Sequence, residues 1–142
     1  MKPIDEQFSE SMFLTTHTWR IALDRRLRPL GFTLSRWLLL LHLSRKDGCT
    51  HRELAQSMGI EAASLVRQVD HMEKDGLLKR CSSDTDRRVK HLRLTESGMS
   101  AVANIRSCAS ELRREVLEGL SEAEIRTALG VLNNISRRLG VL

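Results

Sequence analysis

Apolar residues recur mostly at three- or four-residue steps from Phe8 through Met12, Trp19, Leu23 and Leu27 to Leu30, with Arg20, Arg25, Arg26 and Arg28 between them. That spacing is one face of a long amphipathic helix. Pro29 and Gly31 end it, and Thr33 or Ser35 offers a hydroxyl to cap a second helix. Its Trp37-Leu38-Leu39-Leu40-Leu41 block is apolar nearly all round, which predicts a central position. After the turn Lys46-Asp47-Gly48, Thr50 and Glu53 stand three apart as a capping box and open a short third helix that stops at Gly59. A fourth begins at about Glu61, with Leu65, Val69 and Met72 inward and Asp75-Gly76 as its stop. The pattern then changes to two short alternating runs, Leu77-Leu78-Lys79-Arg80 and Val89-Lys90-His91-Leu92-Arg93-Leu94, around a polar loop, which predicts a hairpin. Thr95 caps a long helix with Met99, Val102, Ile105, Leu112, Val116 and Leu120 as its inward residues. A second capping box, Ser121 with Glu124, opens a last helix carrying Ile125, Leu129, Leu132, Ile135 and Leu139. The chain is therefore expected to be mostly α with one small β-hairpin.

Composition narrows the function classes. A length of 142 residues at 41% apolar content suits one compact core. The longest apolar run is far short of the ~20 residues a membrane span needs, and acids precede the first apolar segment, so neither a membrane span nor a secretory signal is expected. Cys49, Cys81 and Cys108 are odd in number and widely spaced, which disfavours a disulfide framework and points to a reducing cytoplasm. With His17, His42, His51, His71 and His91 they form no metal-ligand spacing, so neither metal nor cofactor is expected. The sequence has no glycine-rich phosphate loop, no Gly-x-Ser-x-Gly elbow and no credible catalytic acid pair, which argues against an enzyme. A net charge of +5 favours polyanionic partners.

The segment Glu53-Leu54-Ala55-Gln56-Ser57-Met58-Gly59-Ile60, followed by Leu65 and Val69, has the grammar of a helix-turn-helix. Ala55 is small where two helices cross, Gly59 takes the left-handed turn, and Ile60 and Leu65 pack the second helix onto the first. Ala62-Ala63-Ser64 lets the backbone of the fourth helix approach a DNA major groove closely. Ser64, Arg67, Gln68 and His71 are expected on the face turned from Leu65 and Val69, where arginine can pair with guanine and glutamine with adenine. Polar Gln68 departs from the motif, because many such helices are apolar there. The bland alternative is that these are solvated helix residues. Between Lys79 and Arg93, however, six Lys or Arg face two Asp, which concentrates most of the net charge in one hairpin. Such a hairpin can lie along phosphates and insert an arginine into a minor groove. Arg88 is expected at the groove tip, with Arg87 and Lys90 beside it and Asp86 organising the loop.

These residues resemble a known family. Arg52-Glu53-Leu54-Ala55, Gly59-Ile60-Glu61, Ser64-Leu65-Val66-Arg67, Asp75-Gly76-Leu77, Asp84-Thr85-Asp86-Arg87-Arg88 and Leu94-Thr95-Glu96 look like the MarR family of bacterial transcription regulators, closest to its SlyA branch. The resemblance runs from about Trp19 to the C-terminus, and the Asp-Arg-Arg wing followed by Leu-Thr-Glu is its most specific element. It implies a winged helix-turn-helix, with dimerisation segments at about 1–32 and 96–142 and a DNA-binding lobe at about 33–95. It implies a homodimer on a pseudo-palindromic double-stranded operator, with Ser64 and Arg67 on the reading helix, where the physical reading also sets Ala63, and Arg88 on the wing. Two-fold symmetry then sets the half-sites about one helical turn apart, roughly 34 Å.

The resemblance also implies an effector, a small aromatic carboxylate bound between the dimerisation helices and the DNA-binding lobe. His17, Trp19, Arg20 and Trp37 are the candidate pocket, although a Trp at helical spacing is usually core. Histidine stands at position 17 where close relatives carry arginine. Two other readings stand beside it: a thiol-based redox sensor, for which Cys108 inside a helix is a poor candidate, and a winged helix used only to bind protein.

Overall fold

The computed structural model describes residues 1–140; Val141 and Leu142, the end of the expected C-terminal dimerisation segment, lie outside them. The elements are α1 (Ile4–Leu27), α2 (Leu34–Arg45), α3 (His51–Met58), α4 (Ala62–Lys74), β1 (Leu78–Ser82), β2 (Lys90–Leu94), α5 (Glu96–Val116) and α6 (Glu122–Arg138). The mostly helical class with one two-stranded hairpin is as the sequence predicts. Among the described residues no helix is long and apolar enough to cross a membrane.

The chain divides into a unit of residues 1–110 and a unit of residues 111–142. In the first, the core gathers around α2, whose Trp37, Leu39, Leu40 and Leu43 are buried together with Leu54, Leu65, Val69, Met72, Leu78, Leu92 and Ile105. The central position expected for the leucine block is borne out. α1 begins four residues before Phe8 and its α-helical part stops at Leu27, because Pro29 tightens the chain into a 3-10 turn, Arg28–Leu30, closed by Gly31 at φ 87°. Its last turns anchor it. Leu23 and Leu27 are buried, and the carboxylate of Asp24 accepts from Arg28 Nε at 2.8 Å and from the indole N–H of Trp37 at 3.2 Å.

Thr33 occupies the N-cap of α2 without a side-chain cap, since its hydroxyl meets that of Ser35 instead. Thr50 and Glu53 form the expected capping box, and Gly59 ends α3 at φ 65°. β1 and β2 pair antiparallel with Leu78 opposite Leu94 and Ser82 opposite Lys90. The turn before α3 adds to the hairpin, because Gly48 N–H donates to Leu92 C=O and Leu92 N–H to Cys49 C=O.

The inward face of α5 is in part the one read from the sequence: Val102, Ile105 and Leu112 are buried as expected, but Met99, Val116 and Leu120 are not. Ala101 is buried as well. The face is set by Gly98, which presses its Cα against the backbone of Leu77 and leaves Met99 about 100° round the axis. In the second unit Leu112 is buried, but Val116 and Leu120 are exposed. α6 has its expected capping box at Ser121 and Glu124. Its stripe, however, is not inward: Ile125 and Ile135 are half-buried, and Leu129, Leu132 and Leu139 are exposed, so the described chain does not cover it. α1 behaves alike over its first two thirds, where Phe8, Phe13 and Leu14 are exposed and Met12 and Trp19 only half-buried.

Candidate nucleic-acid interface

α4 is amphipathic in the sense required of a reading helix. Leu65, Val69 and Met72 are buried to within about one per cent, which turns Ala63, Ser64, Arg67 and His71 outward, all four exposed. Glu61 stands at the N-cap without a side-chain cap, and the first turn, Ala62-Ala63-Ser64, is built of small residues.

Gln68 does not join that face. It follows Leu65 by three residues and precedes Met72 by four, so it flanks the buried stripe, and its amide oxygen is buried without a hydrogen-bond partner. It lines a cavity of about 380 Å³ between the start of α2 and α4, together with Thr33, Ser35, Arg36, His71 and Asp75. Arg36 closes one side through an ion pair to Asp75 while its Nε is buried without a partner. The sequence held no local signal of this cavity, because its walls lie more than thirty residues apart.

The wing loop is organised as expected by Asp86. Its carboxylate accepts the backbone N–H of Arg88 at 2.9 Å and its carbonyl accepts that of Val89 at 3.1 Å, an Asx-type turn. Asp86 thus holds backbone, and the guanidinium groups of Arg87 and Arg88 are left exposed. Ser83 supports the same loop by accepting from Thr85 and Asp86 N–H. Lys90 donates across the hairpin to Ser82 Oγ at 2.7 Å.

Arg80, one of the six basic residues of the hairpin, is turned back onto α4. Its Nη1 donates to Glu73 at 2.7 Å, its Nη2 to Asp70 at 2.5 Å, and its backbone N–H to the second oxygen of Glu73 at 2.9 Å. Burial disfavours its charge, but the hydrogen bonds to Asp70 and Glu73 outweigh burial and raise its pKa above the ordinary value. The Arg80 N–H is the main reason the Glu73 carboxyl sits below its usual range. Beside them His51, at the start of α3, has a buried Nε2 without a partner, and burial followed by the Arg80 charge lowers its pKa.

The four candidate effector residues differ in exposure. Trp37 is 4% exposed with its N–H taken by Asp24, Trp19 is half-buried, and His17 and Arg20 are exposed on α1. None of them lines the cavity beside α4 or the smaller one, of about 250 Å³, between Ser44, Leu94, Met99, Val102 and Arg106. Cys49 is the buried thiol, its pKa raised first by burial, whereas Cys81 and Cys108 are half-buried. Among the described residues no cluster of His, Cys, Asp or Glu could hold a metal ion.

Known proteins share this arrangement. The chain is similar to the solved transcriptional regulator PA3341, with 42% identity, a TM-score of 0.85 and coverage of 94% of this chain and 98% of that one. A MarR-family regulator from Silicibacter pomeroyi has the same fold at 20% identity and TM-score 0.79, covering 97% and 96% of the two chains. So does the repressor CouR, solved on a 23-mer DNA duplex, at 24% identity and TM-score 0.79 with 94% of each chain covered. The model of the MarR family matches residues 30–89, the stretch that runs from the end of the 3-10 turn before α2 through the wing loop. With the winged helix in place and a full-length regulator at 42% identity, the chain belongs to the MarR family of transcriptional regulators.

Proposed function

We propose that the protein is a sequence-specific regulator that binds double-stranded DNA as a homodimer through α4 and the wing. The observation that carries the reading is the division of α4 into a fully buried stripe and an exposed face of Ala63, Ser64, Arg67 and His71, adjacent in sequence to a wing whose Arg87 and Arg88 are free. Such a face can enter a major groove, where Arg67 can make two hydrogen bonds to guanine, while Arg88 reaches the neighbouring minor groove. Gln68 contributes to this surface only after its amide leaves the cavity wall, so Arg67 is assigned the main base contact. Lys90, held by Ser82, and Arg87 are assigned to phosphates. CouR and a mutant of MarR from E. coli, both alike in fold, were solved on DNA. The likeness of motif Ser64-Leu65-Val66-Arg67 and of the Asp-Arg-Arg wing supports the SlyA branch.

The dimer is supported by the apolar side chains that α1 and α6 each leave in water, Phe13 and Leu14 on the one, Leu129 and Leu132 on the other. A second copy would cover them, which assigns 1–32 and 96–142 to dimerisation and 33–95 to DNA. The effector remains part of the proposal as an aromatic carboxylate, but Trp37 serves as core and His17, Trp19 and Arg20 stay as the α1 side of such a site. The reading assigns the chain no catalysis and sets it in the cytoplasm, where DNA is.

Charge reversal tests it. Arg67→Glu with Arg88→Glu is expected to abolish retention of duplex DNA while leaving helicity and oligomeric state unchanged. Unchanged retention in the folded double variant would overturn the reading and favour a protein-binding winged helix.

A further inference from the structure

We infer that Arg80 is a positioning residue that clamps the wing to the reading helix, so that α4 and the wing tip meet DNA as one rigid body. The inference rests on the DNA-binding reading above. Three donors of one residue converge on two carboxylates of α4: both ends of the guanidinium fork and the backbone N–H, at 2.5 to 2.9 Å. Because the N–H belongs to the third residue of β1, Glu73 fixes the strand's backbone as well as its side chain. Asp70 lies one turn from Arg67, at the edge of the exposed face, so the clamp reaches from the wing's base to the reading surface. The arginine side chain is 23% exposed, and a planar fork between two carboxylates is more rigid than a lysine in that place.

The consequence is a chelate effect. Once α4 is seated, a clamped wing presents Arg88 at high effective concentration to the adjacent groove, and a loosened wing does not. The clamp also occupies Asp70, which lies one turn from Arg67 and would otherwise compete for it. These two effects separate in the triple variant Arg80→Met, Asp70→Asn, Glu73→Gln, which loses one positive and two negative charges and is more basic than the parent. Simple electrostatics then expects tighter DNA binding, and the clamp expects weaker binding to the selected operator.

The test is a double-mutant cycle on the full-length dimer with Arg88→Ala in the parent and in the triple variant. With the clamp intact, Arg88→Ala is expected to weaken operator binding about tenfold, and without it only about twofold, since an unclamped wing contributes little. Arg80→Lys should recover part of the difference. A DNA-free readout accompanies it: amide exchange of residues 78–82 and 90–94 should quicken in the triple variant while that of α2 does not. Equal cost of Arg88→Ala in both backgrounds, or unchanged exchange in the hairpin, overturns the inference. If the triple variant does not fold, the same cycle is run with Asp70→Asn alone, where a smaller reduction of the Arg88 cost is expected and none contradicts the clamp. Loss of all DNA binding by the parent would instead contradict the DNA reading itself, and the exchange experiment separates that failure from a failure of the clamp.

Discussion

A Cβ atom on Gly98 would lie 1.9 Å from the carbonyl oxygen of Leu77. The first turn of α5 therefore rests on the backbone that links α4 to β1. Neighbouring bonds hold the contact: Thr95 N–H donates to Leu77 C=O at 3.2 Å, Thr95 Oγ1 donates to Gly76 C=O at 2.5 Å, and Gly98 N–H donates to Thr95 Oγ1 at 3.0 Å. Gly98→Ala must push two backbones apart, and it is expected to destabilise the protein by about 3 kcal/mol, the upper range for overpacking. Urea unfolding measures it. A change within experimental error would show that the two segments separate freely.

Arg67 and Arg88 are expected to fail differently. Arg67→Ala should narrow the gap between operator and random DNA by about 1–3 kcal/mol, as loss of a bidentate base contact does. Arg88→Ala should weaken binding to both and lower the salt slope, because its contact is chiefly to backbone and groove potential. Affinity titrations at several salt concentrations on both duplexes check the division. Equal loss of discrimination in the two variants would contradict it.

Acid should destabilise the fold in two stages. Burial lowers the pKa of His51 and His42 from the ordinary 6.5, helped by the charges of Arg80 and Arg45 respectively, so the folded state prefers both rings neutral. Their contribution is present above pH 6.5 and is lost as pH falls through the lowered values. Glu73, Glu53 and Glu124 are each held below the ordinary 4.5, chiefly by backbone N–H donors, and their contribution is lost further down. Thermal melts at pH 7.5 and 5.5 are expected to show a fall that His51→Gln reduces. An equal fall in that variant would contradict the assignment.

The apolar side chains of α6 predict association. Leu129→Asp with Leu132→Asp should leave the chain monomeric in sedimentation at micromolar concentration while the parent is dimeric, since each leucine covered at an interface is worth about 1.5–3 kcal/mol. A parent that is itself monomeric would contradict the dimer.

Trp37 and Asp24 are the buried polar link between α1 and α2. Trp37→Phe keeps most of the apolar volume but leaves a carboxylate oxygen without its donor, so a cost of about 1–3 kcal/mol is expected. Chemical unfolding reads it directly.

Much of the fold was legible because local rules decided it. Two capping boxes, the Gly59 turn and the Leu65, Val69, Met72 stripe each rest on residues within a few positions of one another. Gln68 was half legible: a polar residue in an apolar slot signalled a departure, and the structure shows its amide turned to a cavity wall. Met99 was misread because the face of α5 is set by a contact with Leu77, twenty-one residues earlier, which no periodicity on the helix records. Arg80 was legible only as one of the hairpin's six basic residues, and its pairing was not, for the same reason. Its partners Asp70 and Glu73 belong to the preceding helix, and only folding brings them within hydrogen-bond reach.

The central claim is best tested by selecting bound sequences from a random duplex pool with the full-length protein and following the affinity of the winners against salt. Enrichment of a pseudo-palindrome with half-sites about one turn apart, with affinity falling steeply as salt rises, is the expected result for a dimer that reads with α4 and anchors with the wing. Salt-sensitive binding without any enriched sequence, or no binding at all, would contradict it.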